Sequence, residues 1–461
     1  MAGDLYLRVQ EHLFQHDRDE HAAVVLAGVH RGRRRARLLA REVHLVPSDQ
    51  FLPGTRGYRQ TAPRFVAELA TRAATEGLAY VALHSHPGAH RQVSLSRDDL
   101  RAHERLFPHL LNLTGANPIA GIALGSESAA GEVWLGDGKP EPLTVLRVLG
   151  HRLLRLTSEP RVGSSVDPRF DRQVRLFGAA GQEILRDLHV AVVGAGGGGS
   201  MLVEQLAHLG VGEITVIDFD EVKAINLSRI VGASPGDVGV KKVAVLARLV
   251  QEIDPSIRLN AIDGDIVDLS TAERLLDTDF IFLATDTITS RLVFNAIVHR
   301  FLIPGVQIGA KVDVAVGGEI SQVYVAVRPV SPSRGCLHCN SLIDPMRLQQ
   351  EARSDEERAA QNYLNEPDVV DPSVISLNGV AASSAVNVML FAATGLADES
   401  LWDHRLFLPR GGDVLTVRTK KDPDCPFCST SPSAIYGRGD PASALPCRRS
   451  QGAAQQTASA P

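Results

Sequence analysis

The stretch that decides the reading runs from Val190 to Asp220, VAVVGAGGGGSMLVEQLAHLGVGEITVIDFD. Val190 to Val193 is uncharged and rich in valine, which predicts a strand buried on both faces of a parallel sheet. Gly194, Gly196, Gly197, Gly198 and Gly199 follow. The spacing Gly194-x-Gly196-x-x-Gly199 is the dinucleotide-binding fingerprint: a tight turn, close backbone approach to phosphate, and a helix packed near the sheet. That helix is predicted over Ser200 to Leu209, with Leu202, Leu206 and Leu209 on one face and an anion site at its start. Gly210 stops it. Ile214 to Ile217 reads as a second strand, and Asp218 at its end suits a ribose hydroxyl. Taken alone, this stretch specifies a nucleotide with phosphates, and an NAD-dependent dehydrogenase would carry it too.

The bulk composition narrows the class. A chain of 461 residues holds two or three domains. Its 44% apolar and 22% charged residues are those of an ordinary globular protein. A net charge of −5 leaves no electrostatic footprint for nucleic acid. The basic run Arg31 to Arg37 sits beside a predicted strand and reads as a solvated hairpin end. No apolar run approaches membrane-spanning length, and the charged N-terminus lacks a signal-peptide core. A cytoplasmic location with neither a membrane nor a nucleic-acid partner is expected. Of five cysteines, Cys336-x-x-Cys339 and Cys425-x-x-Cys428 are paired and Cys447 is left over. In that compartment such pairs argue for metal rather than disulfides.

Ahead of the glycine stretch, Val24 to Ala27 and Val43 to Val46 read as strands, Arg64 to Glu76 as a helix, and Leu78 to Leu83 as a strand running into His84-Ser85-His86-Pro87. Histidines two apart on a strand point the same way and can grip one ion. Ser96-x-x-Asp99 opens a helix over Arg97 to Leu106, where Asp99 can close on that ion. Two histidines, a carboxylate and a water make a catalytic zinc site, which polarises a carbonyl and activates the water. Ser96-x-x-Asp99 also reads as a capping box, which by itself accounts for both residues.

These residues resemble the JAMM (MPN/Mov34) metalloprotease motif, whose upstream glutamate matches Glu20. The resemblance implies an α+β, cytidine-deaminase-like domain over residues 1–150. It implies zinc on His84, His86 and Asp99, Glu20 as general acid/base, and Ser96 at the oxyanion. Its substrates are bonds that follow ubiquitin-like tails. The gap of twelve residues between His86 and Asp99 exceeds the family's by two, so Asp98 competes as a ligand and the loop Gly88 to Leu95 must bulge.

Leu146 to Leu156 reads as a connecting helix, and residues 151–168 as a linker. Around and after the glycine stretch come RFDRQVRLFGAAGQEIL (Arg169 to Leu185), Asn226-Leu-Ser-Arg229, Asp237 to Lys242, Asp254-Pro255 and Ala284-Thr-Asp286. In this order they resemble the ThiF family of molybdopterin and thiamine adenylyltransferases and ubiquitin-activating enzymes. The resemblance implies a Rossmann-like doubly wound domain over residues 169–429, using ATP and Mg²⁺. It implies that Gly194, Gly196 and Gly199 cradle phosphates, that Asp218 binds ribose and Asn226 supports the phosphates. Arg229 and Lys242 contact phosphate, with Lys241 as the alternative, and Asp286 takes Mg²⁺. Arg172 matches an arginine that reaches a partner subunit's site, which implies a homodimer. Cys336, Cys339, Cys425 and Cys428 form a structural Cys₄ zinc site. The substrate is a ubiquitin-like or sulfur-carrier protein, passed on to a conjugating enzyme or a sulfurtransferase.

Asn340 to Asn378 contains no cysteine, so the chain resembles the adenylation-only relatives. That segment reads as a mobile crossover loop, Ser376 to Gly395 as an apolar helix, and Arg405 to Leu408 and Val414 to Arg418 as strands. Residues 430–461 read as a disordered tail that holds Cys447. An oxidoreductase with a binding-only first domain, or a first domain that merely docks, are the readings from other classes.

Overall fold

The computed structural model describes residues 1–17, 19–53, 59–136, 139–160, 166–314, 319–352 and 372–449. About half of the segment read as a crossover loop, part of the linker and the end of the tail lie outside them. The chain divides into two compact units. Met1–Val162, Arg300–Leu302 and Thr430–Pro441 form the first; Gly163–His299, Ile303–Ser429 and Ala442–Pro461 form the second.

The first unit opens with α1 (Gly3–Leu13), then β1 (Ala22–Arg31), β2 (Ala36–Leu45), α2 (Pro63–Glu76), β3 (Ala79–Ser85), α3 (Arg97–Leu113), β4 (Ile119–Leu124), β5 (Ala129–Trp134) and β6 (Pro140–Pro142). Its sheet runs β2-β1-β3-β4-β5-β6, with β3 and β4 parallel and the other neighbours antiparallel. β1 is apolar along almost its whole length because both of its faces are covered. Val25 and Ala27 pack in one core with Leu5, Val9 and Leu13 of α1. Val24 and Leu26 pack in another with Leu69 of α2 and Phe107 and Leu110 of α3.

Two expectations fail in this unit. Leu146 to Leu156 is not a helix but an antiparallel pair, β7 (Leu146–Leu149) and β8 (Leu153–Leu156). Gly150 breaks the helical pattern at the turn and lies against Gly3, while Leu149 N donates to Met1 O at 2.8 Å. Residues 430–441, read as the start of a disordered tail, are ordered, as are residues 442–449 of the second unit. β3 pairs with β1 only up to Ala27, and the returning chain takes the next rung, Gly439 beside Val29. The fully buried Arg41 donates to the carbonyls of Ser431, Ala434 and Tyr436. Asp440 accepts from Arg31 N at 2.7 Å and meets His30 at 2.9 Å.

The second unit comprises α4 (Asp171–Asp187), β9 (His189–Val193), α5 (Gly197–His208), β10 (Glu213–Ile217), α6 (Lys242–Ile253), β11 (Arg258–Ile262), α7 (Leu269–Ala272), β12 (Phe280–Leu283), α8 (Ile288–Arg300), β13 (Gly305–Val314), β14 (Ile320–Val330), α9 (Pro345–Glu351), α10 (Ile375–Thr394), β15 (His404–Leu408) and β16 (Asp413–Val417). The sheet order is β11-β10-β9-β12-β13-β14-β15-β16. The first five strands are parallel in the doubly wound order, and three antiparallel strands extend them. α10 corrects the expectation about apolar runs: by length and composition its 20 residues could cross a membrane. Here its small residues Ala381, Ala385 and Ala392 are buried, and it packs on α5, β13 and β14.

Candidate functional site

In the second unit, β9 and β12 end side by side, with Val193 opposite Leu283. The chain turns at Gly194, whose φ of +96° favours glycine; a Cβ there would lie 2.8 Å from Ala284 O. A Cβ on Gly199 would collide with Gly194 O, so that glycine is fixed by helix packing. Gly196 is different: nothing lies within 4 Å of its would-be Cβ, so it faces open space at the start of α5. No side chain caps α5, which leaves its first N–H groups for an anion.

Asp218 ties this turn down. Its Oδ2 accepts from Ala195 N at 2.6 Å and its Oδ1 from Asp220 N at 2.8 Å. Lys242, the first residue of α6, is buried; its Nζ donates to Asp220 Oδ2 at 2.6 Å and lies 3.8 Å from Asp218 Oδ1. Lys241 turns the other way, to Phe219 O at 2.8 Å and Asp263 at 3.2 Å. Lys242 is therefore the lysine brought to the turn. Buried Asn226 accepts from Lys223 N at 3.0 Å. Arg229 stands by Gly197 at the helix start, with Asn378 of α10 on the same spot. Asp286 is exposed, two residues past the Ala284 that abuts Gly194. Arg172 is exposed on the first turn of α4 and is not drawn into this cluster.

Sequence reasoning missed three neighbours. Asp220, two residues after Asp218, had a visible signal in that spacing. Asn378 and Glu351 had none, because their partners are remote in sequence. Glu351 accepts from Ile288 N and Thr289 N at 2.8 Å and from Thr289 Oγ1 at 2.7 Å, and so caps α8 beside the Asp286 loop.

The second unit also gathers four thiols. Cys336 Sγ lies 3.6 Å from those of Cys339 and Cys425, and Cys339 Sγ lies 3.5 Å from that of Cys428. A tetrahedron of sulfurs about 2.3 Å from zinc has edges of about 3.8 Å, so the set fits that ion. Backbone N–H groups of Cys339 and Phe427 point at Cys336 and Cys425 Sγ at 3.4 Å, as thiolates require. A hydrogen bond from Cys428 lowers the Cys336 thiol to about 5, while burial pushes Cys425 up to about 11. Cys447 is unlike them: burial, with Asp268 and Asp265 nearby, pushes its thiol to about 12, which makes it a poor acyl acceptor.

In the first unit, β3 delivers His84 and His86, and α3 delivers Asp99. His84 Nε2 lies 3.1 Å from His86 Nε2 and 3.3 Å from Asp99 Oδ1; His86 Nε2 lies 3.2 Å from Asp99 Oδ2. Donors about 2.0–2.1 Å from zinc in a tetrahedron stand about 3.3 Å apart, so three corners fit. The capping box is also present: Ser96 Oγ accepts from Asp99 N at 3.1 Å, and Asp99 Oδ2 accepts from Ser96 N at 2.7 Å. The cap thus holds the carboxylate that faces the histidines. Asp98 points away, 3.6 Å from Arg101. The long loop is pinned by Val93, buried against Ala123 and Ala130.

Burial opposes ionisation of Asp99, but hydrogen bonds from His84 and His86 outweigh it and hold the carboxyl well below the usual range. Glu20 precedes β1, whose Ala22 pairs with His84. Burial raises the pKa of Glu20. A cavity of about 170 Å³ runs inward from Glu20, His84 and Asp99, lined by Val66, Tyr80 and Phe107.

The ThiF family matches residues 170–427. Molybdopterin-synthase adenylyltransferase of Escherichia coli (strain K12) is 35% identical over 130 residues, 28% of this chain and 52% of that protein. tRNA threonylcarbamoyladenosine dehydratase of the same organism is 29% identical over 190 residues, 41% of this chain and 66% of that protein. The match thus spans less than two thirds of either. SAMP-activating enzyme E1 of Haloferax volcanii is 26% identical over 264 residues, 56% of this chain and 88% of that protein.

Proposed function

Because the chain belongs to the ThiF family, we propose that it adenylates the C-terminal carboxylate of a ubiquitin-like or sulfur-carrier protein. The observation that carries this is the joining of Lys242, Asp218 and Asp220 to the open glycine turn at the carboxyl ends of parallel strands. Two anions must meet there. A carboxylate oxygen attacks the α-phosphorus of ATP, the bond to the bridging oxygen breaks, pyrophosphate leaves, and an acyl-adenylate remains. The N–H groups at the start of α5, with Lys242 and Arg229, offset phosphate charge. Asp218 would bind ribose and Asn226 would support the phosphates, while Asp286 would hold Mg²⁺, which would supply further positive charge against the phosphates. Holding the reactants in line supplies much of the acceleration. Arg172 completes the site of a second copy in a homodimer.

The first unit is a zinc peptidase of JAMM type in this reading. His84, His86 and Asp99 hold the ion, which polarises the scissile carbonyl when bound. Glu20 moves the water's proton to the leaving nitrogen, and Ser96 fixes Asp99 while facing the oxyanion. The four cysteines hold a structural zinc. Mass spectrometry of the product formed from ATP and a modifier ending in glycine tests the adenylation. An adduct of the modifier with AMP supports it; recovery of unchanged modifier and ATP would overturn it.

The alternative is an activator of a sulfur carrier with a non-catalytic first unit, favoured by 34% identity over 129 residues, 28% of this chain and 48% of that protein, to the sulfur carrier protein adenylyltransferase of Thermus thermophilus. It predicts the same adduct, followed by thiocarboxylate when a sulfurtransferase is supplied, and no cleavage of a modifier fusion.

A further inference from the structure

We propose that Asn340 is the positioning residue of the four-thiol site: its side-chain amide clasps the two Cys-x-x-Cys halves together and sets how slowly the metal is lost. The inference rests on the reading that these thiols hold zinc.

The two halves are remote in sequence, Cys336 and Cys425 being 89 residues apart. Closing so long a loop is entropically unfavourable before any ion binds. The structure has a device that offsets it. Asn340 lies one residue past Cys339, and its Nδ2 donates to Cys336 O at 2.8 Å, inside its own half. The same Nδ2 donates to Lys420 O at 3.1 Å, and its Oδ1 accepts from Lys420 N at 3.0 Å. One amide thus pairs with both backbone groups of Lys420 as a neighbouring strand would. Lys420 stands five residues before Cys425, at the entry to the second half.

Two further contacts serve the same arrangement. Gly335 lets the halves approach, because a Cβ there would collide with Lys420 O. From the other side, the fully buried Asn295 of α8 accepts from Leu337 N at 2.9 Å through Oδ1. Asp422 N points at Cys339 Sγ at 3.4 Å, a bond across the halves that holds only while the Lys420 segment stays in place. The first Cys-x-x-Cys is thereby fixed between a helix and the segment that delivers the second. Groups that orient ligands from outside the coordination shell commonly change metal affinity about 10- to 100-fold when removed.

The test follows zinc release from the full chain to the chromogenic chelator 4-(2-pyridylazo)resorcinol. A His84→Ala background leaves one ion per chain to be followed. Asn340→Ala should release zinc about 10- to 100-fold faster than the parent. Asn340→Asp keeps the acceptor for Lys420 N but loses both donors, so it too should release faster, in a side chain of nearly the same shape. Lys420→Ala keeps every clasp contact, since only its backbone is used, and should match the parent. Parent-like rates in zinc-loaded Asn340→Ala and Asn340→Asp chains would overturn the clasp and leave the zinc reading standing. A parent chain with no thiol-bound zinc would overturn the zinc reading, and the clasp's role with it.

Discussion

His84, His86 and Asp99 offer one ion three donors on side chains that keep 10–20% of their surface exposed. Cys336, Cys339, Cys425 and Cys428 offer four, three of them on fully buried residues. His84 and Asp99 of the first set line a cavity together with Glu20; the second is wrapped by backbone N–H groups and closed by a clasp. In the proposed reading, the difference teaches that ligand number and access, more than ligand identity, separate a site for chemistry from one that holds a fold. A fourth corner left free admits water and substrate; a filled tetrahedron admits neither.

Removing one thiol should have the largest effect. Apparent binding free energies of structural zinc are about 10–16 kcal/mol in small domains. Cys425→Ser should lose one equivalent of zinc by metal analysis and collapse the cooperative melting of the second unit in calorimetry. Retention of that transition would erase the contrast between the two clusters. Next, His86→Ala should lose the other equivalent and all cleavage of a modifier fusion, while both melting transitions persist. Unfolding of the first unit instead would mean its ion is structural as well. Glu20→Gln sharpens the comparison further: zinc content stays at the parent level and cleavage falls about 10²- to 10⁴-fold, as for loss of a general acid/base.

The smallest effect concerns pH. His299 on α8 is fully buried, neither ring nitrogen has a hydrogen-bond partner among the described residues, and burial, with Lys421 nearby, lowers its pKa to about 3. The unfolded chain binds this proton near 6.5 and the folded chain does not until about 3. The unfolded state therefore holds more protons in that window. The stabilisation is complete above about pH 6.5 and is lost as pH falls, by about 1.4 kcal/mol per unit. Urea titrations of the second unit at pH 6.5 and 5.5 should show this loss, and His299→Leu should lose correspondingly less. Identical slopes in parent and variant would contradict it.

What was legible in the sequence was what is local. Val190 to Asp220 carries strand, turn, helix and strand in one continuous run, so its elements fall within a few residues of their predicted bounds. His84, His86 and Asp99 were legible because a strand's period of two and a helix cap each place a side chain without help from elsewhere. Leu146 to Leu156 misled because leucine spacing fits a helix as well as a hairpin, and only Gly150 and its contact with Gly3 decide. Residues 430–449 misled because their composition is polar while their partners, Arg41 and Val267, lie hundreds of residues away. α10 looked unremarkable because Ser383, Ser384 and Asn387 interrupt its apolar residues. Asn340 and Glu351 carried no signal at all: an amide and a carboxylate acquire a role only from a distant backbone.

ATP–pyrophosphate exchange tests the central claim most directly. With a cognate glycine-ended modifier, the full chain should return label from pyrophosphate into ATP. Exchange should fall at least about 10²-fold in Arg229→Ala, which loses a cation that offsets phosphate charge, and in Asp286→Ala, which loses the carboxylate proposed to hold Mg²⁺. Exchange that persists in both variants, or its absence with every ubiquitin-like and sulfur-carrier protein tried, would contradict the account.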